Sequence, residues 1–573
     1  MSDFRFSPRP NRAAEIGWMP WGEAAFARAT AEDKPILLSI SAVWCHWCHV
    51  MDETSYSDTG VIDAINRDYV PVRVDNDRRP DINARYNMGG WPTTAFLAPD
   101  GTTLTGATYL PPQQMRNALE EIARFYAARK DEIADRAFEM RASRQRSAAP
   151  GEELSDAPVA ALIETLRAAF DDEYGGFGDA PKFPQPEVHE FLLGEWRRSG
   201  EQDLYDMVAR TMLGMARGGT YDHVEGGFFR YSTTRDWSVP HFEKMAEDHA
   251  GLLRVLAGLV TFAPTDHFRA TLVSALGYVR TVLLDPQTGF FAGSQDADES
   301  YFALPNEGRR EREMPYVDRT SYTNWTCALA GALCLSGQAL DDDALLTLAQ
   351  RTLDNVNDRL IDSDGLAYHV LQPGGEPEVR GLLTDQVAYA RALLDAHETT
   401  GEGRFLDRAR ALCDVVTERF AAQDGGLYDR VPAPDALGRL ALTDRPIGDN
   451  GTFADVLLRL GALTESPHYR GRVESILRVY AATSASAGPF AAAYARALRR
   501  YLSPEVTVRI AGAPAQTQAF REAALRLPSP FVGIRTLPAE DGAVTAYVCS
   551  GQTCGPPARE AAALRAAYDA VVG

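Results

Sequence analysis

The chain has 573 residues, too many for one hydrophobic core, so two or three domains are expected. Its 45% apolar and 24% charged residues are ordinary for a globular protein, and the formal net charge of -21 argues against nucleic acid and anionic membranes as partners. Seven cysteines do not make a disulfide framework in a chain of this length; two close pairs in a reducing compartment point instead to redox or metal chemistry. No apolar run would span a bilayer, and Met1-Ser2-Asp3-Phe4-Arg5-Phe6 has neither an apolar stretch nor a cleavage site, so no membrane anchor and a cytoplasmic location are expected. Lys34, Lys130, Lys182 and Lys244 are the only lysines among 58 basic residues, a bias read as GC-rich coding.

Residues 1–147 alternate strand and helix signals. Pro35-Ile36-Leu37-Leu38-Ser39-Ile40-Ser41 reads as a buried strand, Tyr69–Asp75 as a second and Thr93–Ala98 as a third, ended by Pro99-Asp100-Gly101. Helices are expected over about 49–67 and 112–143, and Ser147–Gly151 reads as a linker. From 153 to 502 about twelve helical stretches are expected, with no strand series. Between them a glycine turn recurs, at Gly175-Gly176-Phe177, Gly226-Gly227-Phe228, Gly289-Phe290, Gly365-Leu366, Gly425-Gly426-Leu427 and, faintly, Gly488-Pro489-Phe490. Six copies of a helical hairpin predict an (α/α)6 barrel if the ring closes, or an open solenoid, because periodicity does not show closure. Residues 503–573 return to strand patterns at 505–510 and 543–548, with helices at about 515–526 and 558–571, a small α/β lobe that packs on one of the larger domains. The expected fold class is thus multidomain: an α/β domain, an all-α six-hairpin barrel and a small C-terminal α/β lobe.

Cys45-His46-Trp47-Cys48 directly follows the first strand and opens a helix. A helix N-terminus offers free N–H groups and partial positive charge, which favours a thiolate on Cys45, while Cys48 one turn on is placed to resolve a mixed disulfide. His46 and His49 add possible positive charge, and Trp44 and Trp47 a flat apolar rim. The same Cys45, His46, Cys48 and His49 are also metal-ligand types, so a metal site or an inert remnant stays open. About 45 residues on, Gly90-Trp91-Pro92-Thr93 precedes the next strand. The two motifs in this order resemble thioredoxins over about residues 20–130, which implies a thioredoxin-like domain with a cis-proline at Pro92 beside the dithiol. Thioredoxins carry a buried acid six residues before the first Cys; here Ser39 stands there, which leaves His46, His49 or water to move the proton.

The longer run Ser41-Ala42-Val43-Trp44-Cys45-His46-Trp47-Cys48-His49-Val50-Met51 resembles the thioredoxin-domain family related to the spermatogenesis-associated thioredoxin-like protein. So do Ala180-Pro181-Lys182-Phe183-Pro184, the segment 218–249 and Tyr547-Val548-Cys549. That resemblance implies a thioredoxin-like domain joined to a barrel of the N-acylglucosamine 2-epimerase and glycosidase type, and says little about the biochemical role.

Cys549 and Cys554 suit a local disulfide through a turn, half of a zinc site, or a relay with Cys45. In the helical region Asp222, His223, Glu225, Arg230 and Tyr231 crowd one loop. His241, Glu243, Lys244 and Asp248 follow; His241, Lys244 and Asp248 are spaced to share one helix face. Asp296 and Asp298 lie in a later turn, Asp385 and Asp449 at helix starts. Paired carboxylates and a His suit acid–base work on a sugar, with Asp222, His241 and Glu243 as the first choices; helix capping and Arg pairing are the structural alternative. Three functions are therefore expected in turn: a thiol–disulfide oxidoreductase using Cys45, Cys48 and Pro92 on a protein or small-molecule disulfide, a carbohydrate-processing barrel with a regulatory N-terminal domain, and a non-catalytic binding protein. No cofactor and no bound metal are expected.

Overall fold

The computed structural model describes residues 4–130, 132–133, 153–538, 544–551 and 553–572. The chain forms two compact units, Met1–Ala148 with Arg430–Asp444, and Ala149–Asp429 with Arg445–Gly573.

The first unit runs α1 (Glu23–Glu32), β1 (Ile36–Ser41), α2 (His46–Glu53), α3 (Thr59–Asp68), β2 (Val70–Asp75), α4 (Pro80–Tyr86), β3 (Thr93–Leu97), β4 (Thr103–Ala107) and α5 (Pro112–Ala128). The sheet order is β2-β1-β3-β4, with β1 parallel to β2, and β3 antiparallel to both β1 and β4. Both faces of β1 are covered: Ile36, Leu38 and Ile40 join one core and Leu37 another. That is why its sequence is a continuous apolar run. The single helix expected over 49–67 is two helices. Thr54 leaves helical geometry (φ -112, ψ -81), and Asp58 restarts the helix by accepting the Val61 N–H at 3.0 Å. The helix expected to run to 143 breaks at Arg129 (φ -135, ψ 30); its expected continuation over 134–143 and the linker at 147–151 lie outside the described residues. Residues 430–444 sit within the range read as helical, yet they complete this unit. Leu440 enters the sheet's core, and Arg85 donates to the Arg439 and Leu442 carbonyls.

The second unit begins with twelve helices of eleven residues or more. They are α6 (Ala157–Ala169), α7 (Pro186–Ser199), α8 (Gln202–Arg217), α9 (Ala246–Phe262), α10 (Asp266–Tyr278), α11 (Thr323–Leu340), α12 (Asp343–Leu360), α13 (Leu383–Thr400), α14 (Gly403–Arg419), α15 (Ile447–Thr464), α16 (His468–Arg478) and α17 (Ala492–Leu502). The odd-numbered helices form an inner ring, α7–α9–α11–α13–α15–α17, which closes because α17 packs on α7 and on α6. The solenoid alternative is therefore excluded. Inner helices are buried nearly all round, as α13 shows from Leu383 to Thr399, while outer helices bury one stripe. Midway down the ring, Glu190, Arg254, Arg391, Asp395, Asp455, Arg459 and Arg496 form linked ion pairs across the axis. On α11 Gly331 makes room for them: a Cβ there would lie 2.7 Å from Asp395 Oδ2.

The recurrent glycine turn joins each outer helix to the next inner one. In five copies a β-bridge closes it, Phe170 with Phe177, Tyr221 with Phe228, Leu284 with Phe291, Ile361 with Ala367 and Ala421 with Leu427. Its glycines need left-handed backbone, as at Gly226 (φ 78) and Gly227 (φ 82). In four copies an Asp opens the turn and caps its backbone: Asp171, Asp222, Asp285 and Asp362.

The C-terminal lobe runs β5 (Val506–Ala511), α18 (Pro514–Leu525), β6 (Val532–Leu537), β7 (Thr545–Ser550), β8 (Thr553–Cys554) and α19 (Leu564–Val572). The strands β6 and β8 carry no alternating pattern long enough to stand out in the sequence. The sheet order is β6-β5-β7-β8, with β5 parallel to β6, and β7 antiparallel to both β5 and β8. This is the arrangement of the N-terminal sheet, strand for strand. The lobe packs on the barrel, where α18 meets α13 and where β5 and β6 meet α15. Arg197 donates to the Leu527 and Ser529 carbonyls across this junction.

Candidate functional site

Cys45 is the N-cap of α2, and its Sγ accepts the Cys48 N–H at 3.1 Å. The two cysteines are joined as a disulfide, and both are buried. The sulfur of Cys45 thus occupies the spot where a helix end stabilises negative charge. Trp91–Pro92 is a cis peptide bond immediately before β3, which pairs with β1.

The flanking groups divide. Trp47 is exposed, its ring against Tyr109 (5.3 Å) and His46 (5.9 Å). Trp44 is buried rather than a rim: its Nε1 donates to Asp77 at 2.7 Å and its ring meets Trp91 edge-on. His49 is not a source of positive charge, because burial pulls its pKa to about 4 and leaves it neutral near pH 7. His46 is half-buried at the first position of α2. Two further charges were not anticipated. Asp52, one turn beyond Cys48, makes a two-pronged buried pair with Arg73 at 2.8 and 3.0 Å, and Arg73 is the β2 residue in register with Ser39. Only the apolar surroundings in sequence, not a motif, could have flagged it. Cys549 and Cys554 form a local disulfide, and no group of three metal-ligating residues occurs among the described residues.

In the barrel the register of the inner helices sorts the candidates. The fourth residue of α9, α13 and α15 holds the preceding turn. His249 Nε2 accepts the Phe228 N–H, Gln386 the Ala367 N–H and Asn450 the Leu427 N–H. The third residue is Asp248, Asp385 or Asp449, one rung nearer the helix starts. Asp385 is fully buried; its Oδ1 accepts from the Asn324 N–H and meets His369 Nδ1 at 2.8 Å, while its Oδ2 has no partner. Burial, then Asp385 and Asp429, push Asp449 up to about 7. Burial, against Arg230 and with Glu187 and Glu243, pushes Asp248 up to about 7. Glu247 keeps solvent contact, yet enclosure by protein, then Asp248 and Glu187, pushes it up to about 8. Glu247 and Glu187, the second residues of α9 and α7, and His369 were not singled out from the sequence, where no motif marks them.

The first choices fare differently. Asp222 is a turn residue: its Oδ1 caps Val224 and its Oδ2 binds Lys244 and Arg309, both at 2.7 Å. Burial opposes its charge, but these cations hold it below the usual range. Glu225 is held by Arg309 and the Tyr301 hydroxyl, and His223 contacts the Gly218 carbonyl from an exposed position. His241, Lys244 and Asp248 do not share a helix face. His241 and Lys244 lie on short strands, Pro240–His241 and Lys244–Met245, and α9 starts only at Ala246. His241 Nδ1 bonds the buried Glu243 at 2.8 Å, and its ring stacks on Tyr231 at 4.8 Å, with Phe183 on the other face of that tyrosine. Arg230 donates its backbone N–H to the Glu243 carbonyl. Asp296 accepts the Ala297 N–H, and Asp298 caps the short helix Glu299–Phe302.

These features define a class: a thioredoxin-like α/β domain in one unit, and a closed six-hairpin helical barrel with a small α/β lobe in the other. Residues 9–144 match the Thioredox_DsbH family, described as a protein of unknown function, DUF255. Spermatogenesis-associated protein 20 of Homo sapiens is 33% identical over 326 residues, 52% of this chain and 41% of that protein; the Rattus norvegicus protein is 34% identical over 323 residues. The matched region therefore spans less than half the length of these relatives. An uncharacterized Caenorhabditis elegans protein is 25% identical over 585 residues, 81% of this chain and 80% of its own. Among solved structures, cellobiose 2-epimerase of Spirochaeta thermophila aligns with 60% of this chain and 96% of its own, at a TM-score of 0.49 and 13% identity. No helix among the described residues is long and apolar enough to cross a membrane.

Proposed function

We propose that the chain is a cytoplasmic thiol–disulfide oxidoreductase acting on protein or small-molecule disulfides through Cys45 and Cys48. The observation that carries this is the Cys45 sulfur at the α2 N-cap, accepting the Cys48 N–H at 3.1 Å. In the reduced form that N–H and the helix end favour the Cys45 thiolate. It attacks one sulfur of the substrate and releases the other as a thiol. Cys48 then attacks Cys45, releases the second substrate thiol and closes the Cys45–Cys48 disulfide, so two electrons pass to the substrate; an external dithiol restores the pair. The Cys48 proton goes to His46 or water, because a His49 with a pKa near 4 is a poor base at neutral pH. Reduction of insulin and of a small disulfide is measured with wild type and Cys45→Ser; the variant is expected to be inactive, and equal rates overturn the proposal.

A second reading is supported by the rung of Asp248, Asp385 and Asp449 with Glu247 and His369: the barrel mouth takes a carbohydrate. Carboxylic acids whose pKa lies near 7 are matched to proton transfer at neutral pH. A calorimetric screen of neutral sugars against wild type and Glu247→Gln tests it. Absence of millimolar binding to the wild type sinks it.

A further inference from the structure

The C-terminal lobe repeats the N-terminal sheet order and the helix between its parallel strands, but not the dithiol. Ala513 is the N-cap of α18, where Cys45 caps α2, and Gln516 stands three residues on, where Cys48 does. Val544 precedes β7, where Pro92 precedes β3. The lobe's two sulfurs lie on the β7–β8 hairpin instead. Cys549 and Cys554 are directly opposed across the two strands and joined. Cys549 pairs with Thr507 near the start of β5, so the bond sits at the far end of the sheet from the start of α18.

The hairpin is held without it. Ser550 pairs with Thr553 across the turn at Gly551; beyond the cysteines Gly555 donates to the Val548 carbonyl, and Ala546 and Ala558 exchange two bonds of 2.8 Å. Closing so short a loop also removes little freedom from the unfolded chain compared with a long one. The two sulfurs are unequal: Cys549 is 1% exposed, while Cys554 is exposed on the edge strand. An incoming thiolate reaches Cys554 and expels Cys549.

We propose that Cys549–Cys554 is a second redox site, reduced by a thioredoxin-type dithiol that attacks Cys554, this chain's own Cys45–Cys48 pair being such a dithiol. The proposal rests on the reading of Cys45–Cys48 as redox-active. The Cys45 thiolate forms a bond to Cys554 Sγ, and the Cys549–Cys554 bond breaks, with Cys549 leaving as a thiolate that takes a proton. The Cys48 thiolate then attacks Cys45, and Cys554 leaves and is protonated. Two electrons and two protons reach the lobe, and Cys45–Cys48 is oxidised. The remaining cysteines do not compete: Cys327, Cys334 and Cys413 are buried in helices, and burial pushes the Cys334 thiol up to about 12.

The test uses the full-length chain. Wild type and Cys45→Ser are given limiting dithiothreitol, then quenched with an alkylating agent, and the thiols and disulfides are mapped by mass spectrometry. Reduction of Cys549–Cys554 is expected to be at least tenfold slower in Cys45→Ser. In Cys48→Ser a peptide linking Cys45 to Cys554 is expected. A linkage to Cys549, or equal rates in wild type and Cys45→Ser, overturns the proposal. If Cys549–Cys554 stays oxidised while the wild type still reduces a small disulfide, this proposal falls and the oxidoreductase reading stands. If neither is reduced, both fall.

Discussion

Asp222→Asn tests a carboxylate that holds two buried cations in the barrel's turns. Asn keeps the size of the side chain and an acceptor for the Val224 N–H, so the loss is one negative charge 2.7 Å from both Lys244 Nζ and Arg309 Nη1. Arg309 retains Glu225. Lys244, wholly buried, retains the Gly226 carbonyl and the faces of Tyr278, Phe229 and Phe302. Breaking a buried pair costs about 3–5 kcal/mol. These residual contacts place the expected loss near the lower end, about 3 kcal/mol at pH 7. The cost also carries a pH signature. Burial pulls Lys244 down to about 8, and losing Asp222 pulls it lower. A folded-state pKa below the unfolded value means that stability rises with pH across the interval between them. By pH 9 Lys244 is largely uncharged in wild type as well, so the gap between the two proteins shrinks. Urea unfolding followed by tryptophan fluorescence at pH 7 and pH 9 measures it. A loss under about 1 kcal/mol at pH 7, or one that grows toward pH 9, refutes the reasoning.

Asp449→Asn should do the reverse. Its folded pKa of about 7 lies above the unfolded value of 3.8, so the folded state holds a proton that the unfolded state has released, and wild-type stability falls as pH rises between the two. Asn removes that penalty: a gain on the order of 2 kcal/mol at pH 8 and none at pH 3, read as melting temperatures. Asp52→Asn leaves Arg73 charged and 4% exposed, and should cost about 3 kcal/mol in thermal unfolding; Asp52→Leu with Arg73→Met should recover most of it. Gly331→Ala presses a methyl group onto Asp395 and Arg254 and should cost about 1–3 kcal/mol. Gly194→Ala, with nothing within 4 Å of its new Cβ, is the control and should be neutral or stabilising.

Much of the architecture was legible because it is periodic. Twelve helical stretches and six glycine turns repeat often enough to be read from single residues, and Cys45-His46-Trp47-Cys48 sits between a strand and a helix that each carry their own signal. What the sequence hid lacks period. Segment 430–444 shows neither helical nor strand alternation, and only the core it enters, through Leu440, gives it a place. The barrel residues show the same limit. Local density of ionisable groups drew attention to Asp222, whose charge is in fact spent on Lys244 and Arg309, brought to it from later in the chain. Asp248, Asp385 and Asp449 stand 137 and 64 residues apart in the chain and become neighbours in kind only once the ring assigns them the same helix position.

The lysines show how a composition bias and a structural demand are told apart. A chain that uses arginine almost everywhere keeps four lysines, and two of them, Lys182 and Lys244, are 0% exposed in equivalent turns. Lys182 bonds Asp171 and the Gly175 carbonyl; Lys244 bonds Asp222 and the Gly226 carbonyl. The matching turns nearer the surface use Arg380 on Asp362 and Arg445 on Asp424. The buried turns have no room for more: a Cβ on Gly176 would already lie 3.5 Å from Lys182 Cδ and 2.5 Å from Trp237. A compact ammonium reaches one carboxylate oxygen and one carbonyl there, whereas a planar guanidinium would bring donors that the turn leaves without acceptors. The arginine-rich composition does not account for these two buried lysines; the geometry of the turn does.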